Sequence, residues 1–176
     1  MKELKNKWIS TLLFLLVITA TFTSCKKDET TVQDADYIGK WSSDVIPSSG
    51  QGDQKHNLTL TKNTFEDVIQ TKVSSGAWVN SIIVKGTMTV TSNKMNVHVA
   101  EIGISEINDQ TKEFTGNVTT YKEGSLFYGL IMDQVGRKPD FQAEYTVSSN
   151  TLTLKTDMNN DGDFLDANET TTYNRQ

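Results

Sequence analysis

The sequence predicts an all-β domain, built as an antiparallel barrel or sandwich, behind an N-terminal export signal. Three observations support this fold class. Short segments alternate between apolar and polar residues, and turn-forming residues separate them about every ten positions. No segment shows the extended periodicity of a long helix, and no repeat of fixed length is present.

Residues 1–24 have the organisation of a signal peptide. Lys2, Lys5 and Lys7 precede an apolar run over residues 9–20. At about a dozen residues this run is too short for a stable transmembrane helix and is typical of the apolar core of a signal peptide. We therefore expect residues 1–24 to be removed during export.

Cys25 is the only cysteine in the chain, so it has no partner for an internal disulfide. The preceding residues Phe22, Thr23 and Ser24 resemble the lipobox of bacterial lipoproteins. In that family the cysteine thiol receives a diacylglycerol and becomes the new N-terminus. The resemblance implies that lipid on Cys25 anchors the protein to the outer membrane of a gram-negative bacterium, and more than one acyl chain makes such anchoring stable. An ordinary secretory signal with an incidental cysteine is the alternative.

Residues 25–36 are predicted to form a polar tether behind the lipidated cysteine. Lys26, Lys27, Asp28 and Glu29 resemble, one residue out of register, the lysine-then-acid tag that directs some gram-negative lipoproteins to the cell surface. A solvated tether without a targeting role has the same composition. Surface display is therefore an expectation that the resemblance implies.

The chain from Cys25 onward has 152 residues, which suits one domain. Without the three lysines and one glutamate of the signal, 14 basic and 21 acidic side chains remain, a formal net charge of −7. An acidic domain without a basic stripe argues against nucleic acid as a partner. It also argues against adhesion to anionic membranes through protein charge.

The folded domain is predicted to cover residues 37–176 and to begin with a strand near residues 37–41. Period-two alternation over residues 57–61 and 64–71, across a turn at Lys62 and Asn63, predicts the first hairpin. The next hairpin is the clearest in the chain. Its strands cover residues 78–91 and 95–99, its turn is Ser92-Asn93-Lys94, and Met95, Val97 and Val99 share one face.

The middle of the domain allows two interpretations. Residues 114–121 predict a strand, and residues 125–132 predict either a second strand or a short amphipathic helix with Leu126, Leu130 and Ile131 on its apolar face. Periodicity alone does not decide between these two. A further hairpin is predicted over residues 141–147 and 151–155, and a last strand over residues 170–175.

Three residues of the domain resemble the sequence signature of lipocalins. Gly39 and Trp41 match their Gly-x-Trp motif on the first strand, and Arg175 lies where that family often places an arginine across the tryptophan ring. The loop at residues 47–53 corresponds to the large first loop over the barrel mouth. The resemblance implies an up-and-down barrel of about eight strands, closed by pairing of the last strand with the first. A core tryptophan with a frayed terminal arginine is the alternative.

Residues for catalysis are sparse in this sequence. His56 and His98 have no metal-binding spacing, and no Gly-x-Ser-x-Gly nucleophile motif is present. His98 is predicted to face solvent, because it lies on the strand face opposite Met95, Val97 and Val99. The acids Glu101, Glu106, Asp109 and Glu113 have no marked partner. We therefore expect a protein without enzymatic activity.

Two classes of function remain open. The lipocalin resemblance implies a binding module for a small apolar ligand. The alternative is a structural or interaction module of the cell surface whose barrel is filled by its own side chains. Bulky apolar residues are numerous enough to fill a small barrel: Met88, Val90, Met95, Val97, Phe114, Phe127, Phe141 and Tyr145.

The acidic segment 157–169 is a candidate calcium site. Its oxygen-bearing side chains fall at alternate positions before Gly162, in a pattern that resembles an EF-hand loop. The closing acid departs from that pattern, because Asn168 occupies its position and Glu169 comes one residue late. Asp166 would be the closing ligand of a shorter metal-binding loop. The alternative is an acidic hairpin loop that binds no metal. The candidate ligands are Asp157, Asn159, Asp161, Asp163 through its carbonyl, Asp166 and Glu169.

Overall fold

The computed structural model describes residues 35–48, 52–157, 163–164 and 169–176, which form an all-β domain. Residues 1–34, which contain the predicted signal, Cys25 and most of the tether, lie outside this description. Within these ranges, nine strands and one short helix follow in chain order. They are β1 (Gly39–Ser43), β2 (Gln54–Leu60), β3 (Thr64–Lys72), β4 (Trp78–Thr91), β5 (Lys94–Ile107), β6 (Phe114–Lys122), α1 (Tyr128–Gln134), β7 (Asp140–Ser148), β8 (Thr151–Thr156) and β9 (Thr170–Arg175).

Eight of these strands close into an antiparallel barrel, which confirms the predicted fold class. The ring runs β4–β3–β2–β1–β9–β8–β7–β5 and closes through the pairing of β4 with β5. β6 is the additional strand. It pairs with β5 at Glu101–Ile107, next to the stretch Lys94–His98 that pairs with β7. Among the described residues, β6 therefore has a strand neighbour on one side only.

The predicted hairpins are all present, with turns at the predicted positions. Ser92 and Ser149 take the left-handed backbone conformation that these tight turns require, with φ of 57° and 53°. β5 extends to Ile107, beyond the predicted end at residue 99. A bulge near Gly86 shifts the register there, so that Val99 and then Ile102 point inward and the period-two pattern is interrupted between them.

Residues 114–121 form the predicted strand, but residues 125–132 do not form a second one. The helical alternative is correct for this segment, although only Ile131 of its predicted apolar face packs against the core. Leu126 and Leu130 are exposed, with 84% and 63% of their surface accessible, whereas Tyr128 and Met132 form the buried face of α1. Their spacing of four residues places both on one side of the helix.

The barrel interior is filled by large side chains from the strands and from α1. Met88, Met95 and Val97 of the predicted filling set are buried, and Val90, Phe141 and Tyr145 pack against them. Phe114 and Phe127 are the exceptions, since Phe114 is half-buried outside the core cluster and 53% of the Phe127 surface is exposed. The core comprises Tyr37, Trp41, Leu58, Leu60, Phe65, Val84, Met88, Met95, Val97, Val99, Ile102, Tyr128, Met132, Ala143, Leu152 and Tyr173.

Trp41 lies at the junction of the first and last strands. It pairs with Arg175 across β1 and β9, it is completely buried, and its indole N–H donates to the carbonyl of Tyr37 at 2.9 Å. The Arg175 guanidinium carbon lies 4.2 Å from the indole ring centroid. The same guanidinium donates to the carbonyls of Ile38 and Asp36 at 3.1 and 2.6 Å. Arg175 therefore ties the chain ahead of β1 to the last strand.

Gly39 belongs to the same unit for a steric reason. Its φ of +148° is rare for residues with a side chain, and a Cβ at this position would lie 2.9 Å from Nη1 of Arg175. The Gly-x-Trp motif and the terminal arginine therefore depend on one another physically.

We predict that Trp41→Ala lowers the melting temperature far more than Arg175→Ala. Truncation of a buried tryptophan costs about 3–5 kcal/mol of unfolding free energy, whereas loss of a partly exposed cation–π contact costs about 1 kcal/mol. Thermal denaturation of both variants measures the difference. Equal and negligible shifts would show that Trp41 is not a core residue in solution.

Candidate functional site

Helix α1 and the segment after it close one end of the barrel interior. Met132 is 1% exposed, and the hydroxyl of the buried Tyr128 donates to the carbonyl of Val99 on β5. Beyond the helix, Arg137 Nη2 lies 4.0 Å from Oδ2 of Asp67 on β3. Because β3 is not adjacent to β5 or β7 in the ring, this contact crosses the barrel. The segment is therefore attached to two walls.

Asp67 is the centre of a polar cluster inside the barrel. Its Oδ2 lies 2.9 Å from Nδ1 of His56 on β2, and the two side chains are 10% and 15% exposed. Since the carboxylate accepts, Nδ1 is the nitrogen that carries the hydrogen. The Tyr173 ring meets the His56 ring edge-on at 6.4 Å, and burial together with the nearby Asp67 charge raises the pKa of Tyr173. The cluster orients the His56 ring and attaches Arg137 to β3.

This cluster was not predicted from the sequence, although the strand register contains a signal for it. His56 has the same parity as the inward-facing Leu58 and Leu60, and Asp67 lies between the inward-facing Phe65 and Ile69. Polar residues at inward positions of adjacent strands need partners inside the barrel. The partner Arg137 comes from a distant connection, so local pattern does not reveal it.

A second cluster lies on the outer face around His98, as predicted for this residue. Nδ1 of His98 lies 2.8 Å from Oδ1 of Asp140, and Nε2 lies 3.0 Å from Oε2 of Glu123. Glu123 precedes α1 and Asp140 begins β7, so His98 bridges both ends of the segment that carries α1. Hydrogen bonds to Asp140 and then to Glu123 raise the pKa of His98 above 6.5, and both negative charges add to the effect.

Two surface clefts of mixed polar and apolar lining border the barrel. One, of about 570 Å³, lies between the β3–β4 and β5–β6 connections. Ser74 closes one side of it by donating to Glu113 through its N–H at 2.6 Å and its hydroxyl at 3.1 Å. The other, of about 450 Å³, lies beside His98 and Phe141. Neither has the apolar character of the small-ligand cup that the lipocalin resemblance implies.

The acidic segment begins and ends at one position on the barrel. The N–H of Thr156 donates to the Glu169 carbonyl at 2.8 Å, and the N–H of Asp157 donates to the Gln142 carbonyl at 3.0 Å. Asp157 and Glu169 are buried, and Asp163 is exposed. The other candidate ligands, Asn159, Asp161 and Asp166, lie outside the described residues. Within the described parts, no three His, Cys, Asp or Glu side chains converge in a way that could hold a metal.

Across the described ranges, no helix has both the length and the apolar character needed to cross a bilayer. Comparison of the chain with protein-family models, with curated proteins and with solved structures gave no match. The closed eight-stranded barrel is compatible with a lipocalin-like fold. Beyond this architecture, the likeness rests on Gly39, Trp41 and Arg175.

We predict that His98 stabilises the fold more in mildly acidic than in alkaline solution. Its raised pKa means that the folded state binds the proton more tightly than the unfolded state. This stabilisation is fully present below the unfolded-state pKa of about 6.5 and is lost as the pH rises through the folded-state pKa. Urea denaturation of wild type and His98→Gln at about pH 5.5 and about pH 8.5 measures the effect.

The expected result is a larger stability difference between the two proteins at the lower pH. The double variant Glu123→Gln, Asp140→Asn is the control and should remove most of this pH dependence. If the stability difference between wild type and His98→Gln stayed constant or grew with pH, the bridging role of His98 would be contradicted.

Proposed function

We propose that this chain is a lipid-anchored protein of the gram-negative outer membrane that presents a filled, non-catalytic β-barrel as an interaction module. The lipobox-like residues 22–25, the single cysteine and the polar tether support the anchor. The lysine-then-acid residues after Cys25 support display at the cell surface. The closed barrel supports the part of the proposal that concerns a folded module behind the anchor.

The filled interior is the observation that carries the interaction role. A barrel that encloses an apolar ligand needs an apolar lumen, and eight strands leave room for only one small molecule. Here Trp41, Met95, Ile102, Met132 and Leu152 are fully buried in the interior. Because the space is occupied by the chain itself, the outer surface is the part available to partners.

The polar cluster supports the absence of catalysis in this proposal. Both oxygens of Asp67 lie within 3.3 Å of His56 Nδ1, and Arg137 approaches the same carboxylate. A carboxylate that contacts both an imidazole and a guanidinium serves as an attachment point for these side chains. It fixes the segment that carries α1.

Binding of a small apolar ligand is the second candidate, and the attachment of α1 is the observation that favours it. This seven-residue helix is held by the Arg137–Asp67 contact and the His98 bridge, and Leu126, Phe127 and Leu130 expose apolar side chains at the helix and just before it. Displacement of α1 would expose the core beneath Met132. Native mass spectrometry of protein extracted from its own membrane distinguishes the candidates, since a retained ligand adds mass.

We predict that Cys25→Ser abolishes lipidation and leaves the protein unprocessed or released from the membrane. The thiol is the acyl acceptor in the proposal, and a hydroxyl does not replace it. Incorporation of labelled fatty acid, followed by membrane fractionation, measures the change. Equal labelling of wild type and Cys25→Ser would contradict the anchoring proposal.

We predict that calcium stabilises the protein through the acidic segment. With an affinity near 10⁻⁴–10⁻³ M, as in extracellular modules, about 10 mM calcium adds about 1.4–2.7 kcal/mol to the free energy of unfolding. Thermal denaturation with and without calcium measures this, with magnesium as the control ion. Asp161→Ala should abolish the rise. An unchanged wild-type melting curve would show that the segment is an acidic hairpin loop without a metal.

A further inference from the structure

A row of polar side chains crosses the outer face of four adjacent strands, β1 to β4. The Ser42 hydroxyl donates to Oδ1 of Asn57 at 3.1 Å, Nδ2 of Asn57 donates to Oε1 of Gln70 at 3.1 Å, and Nε2 of Gln70 donates to Oδ1 of Asn80 at 3.0 Å. With strands about 4.8 Å apart, the row is about 14 Å long. We refer to Ser42, Asn57, Gln70 and Asn80 as the amide row.

The amide row keeps hydrogen-bonding capacity for a ligand. Each side-chain amide has two N–H donors and one oxygen acceptor with two lone pairs. Asn57 and Gln70 each use one N–H within the row, and the NH₂ group of Asn80 has no acceptor in the part of the chain that the structure describes. All three side chains are half-buried, and contacts within the row hold them in place. Oδ1 of Asn57 also accepts from Nε2 of Gln176 at 3.2 Å, so the capacity that remains at Asn57 is its second N–H.

An indole and two lysines lie next to the amide row on the same face. Trp78 is partly exposed at the start of β4 and pairs with Lys72 of β3. Nζ of Lys55 lies 5.5 Å from the Trp78 ring centroid. Among the described residues neither Lys55 nor Lys72 forms an ion pair, whereas Lys85 further along this face pairs with Glu66. Lys72 borders the cleft that Asp53 and Glu113 also line, whereas Lys55 lies beside the indole, so both ammonium groups can approach a bound anion on this face.

We propose that this face binds an acidic polysaccharide, a glycan that contains uronic acid residues. The indole ring offers an apolar plane for the C–H face of one sugar ring, and the amide row offers donors and acceptors for the hydroxyls of the next sugars along the chain. Lys55 and Lys72 supply the charge that sugar carboxylates require. This inference rests on the outward-facing role proposed above and does not depend on acylation of Cys25.

Charge and shape favour this ligand over the alternatives on the same face. A neutral glycan would leave Lys55 and Lys72 without counter-charges. Single-stranded nucleic acid shares the negative charge, but its binding without sequence preference relies on several aromatic platforms. Trp78 is the one aromatic side chain in this site, and the row beside it consists of hydroxyl and amide groups.

Isothermal titration calorimetry with the detergent-solubilised full-length protein tests the proposal. The probe is a galacturonic acid oligomer, and the comparison ligands are a glucose oligomer of equal length and a single-stranded oligonucleotide. We expect binding of the galacturonate oligomer that weakens as salt is added, with markedly weaker binding of the other two. The variants Trp78→Ala and Lys55→Gln with Lys72→Gln should each weaken binding at least about tenfold.

Lys94→Gln is the matched control, because it removes one lysine charge that is paired with Glu144 on a different part of the barrel. It should bind the galacturonate oligomer like the wild type. Absent binding of this oligomer would overturn the proposal, and so would equal binding of the glucose oligomer or of the oligonucleotide. An equal loss of affinity in Lys94→Gln would show that net charge alone drives binding. Because binding is measured in solution, its failure is distinguishable from failure of lipid labelling.

Discussion

The pairing of β1 with β9 joins the two ends of the domain, and the closed ring depends on it. Barrel closure removes the two exposed edges that an open sheet of these strands would have. At this seam Trp41 fills the interior, Arg175 covers the indole and reaches back to the carbonyls ahead of β1, and Gly39 leaves room for the guanidinium. Removal of any of these contacts weakens the pairing of β1 with β9, and therefore the attachment of both the first and the last strand.

The proposed function uses the outer surface of the barrel, because large side chains occupy its interior. Inside, the Asp67 cluster and the buried face of α1 attach the segment after β6 to both walls, and His98 bridges the ends of that segment on the outer face. These polar contacts add to the burial of Tyr128 and Met132 in stabilising one conformation of this part of the chain. The amide row presents polar groups outward on the strands next to the seam.

Much of this fold could be predicted from sequence, because hairpins are local. Alternation and turn residues identified the strands around Lys62, Ser92 and Ser149, and the Gly-x-Trp motif indicated the seam. The extension of β5 was not predicted, since a bulge interrupts the alternation. The segment with α1 was ambiguous because Leu126 and Leu130 face solvent, and its buried residues Tyr128 and Met132 were not distinctive in the sequence.

The site was harder to predict than the fold, because its contacts join residues far apart in the chain. Asp67 meets Arg137, and His98 meets Glu123 and Asp140, only after the strands have been arranged in the ring. The amide row likewise depends on the pairing register of β1 to β4. An asparagine or glutamine in a single strand carries no sign that its neighbours in the sheet are also amides.

Native-state amide hydrogen exchange of the β1–β9 seam is the most direct test of this account. If closure at Trp41 holds the barrel together, the amides that pair β1 with β9 should exchange only through global unfolding, with protection within about tenfold of that in the β3–β4 pair. Exchange in β1 and β9 that is faster than in β3 and β4 by several orders of magnitude would show that the seam opens locally. The domain would then be an open sheet in solution, which contradicts the account.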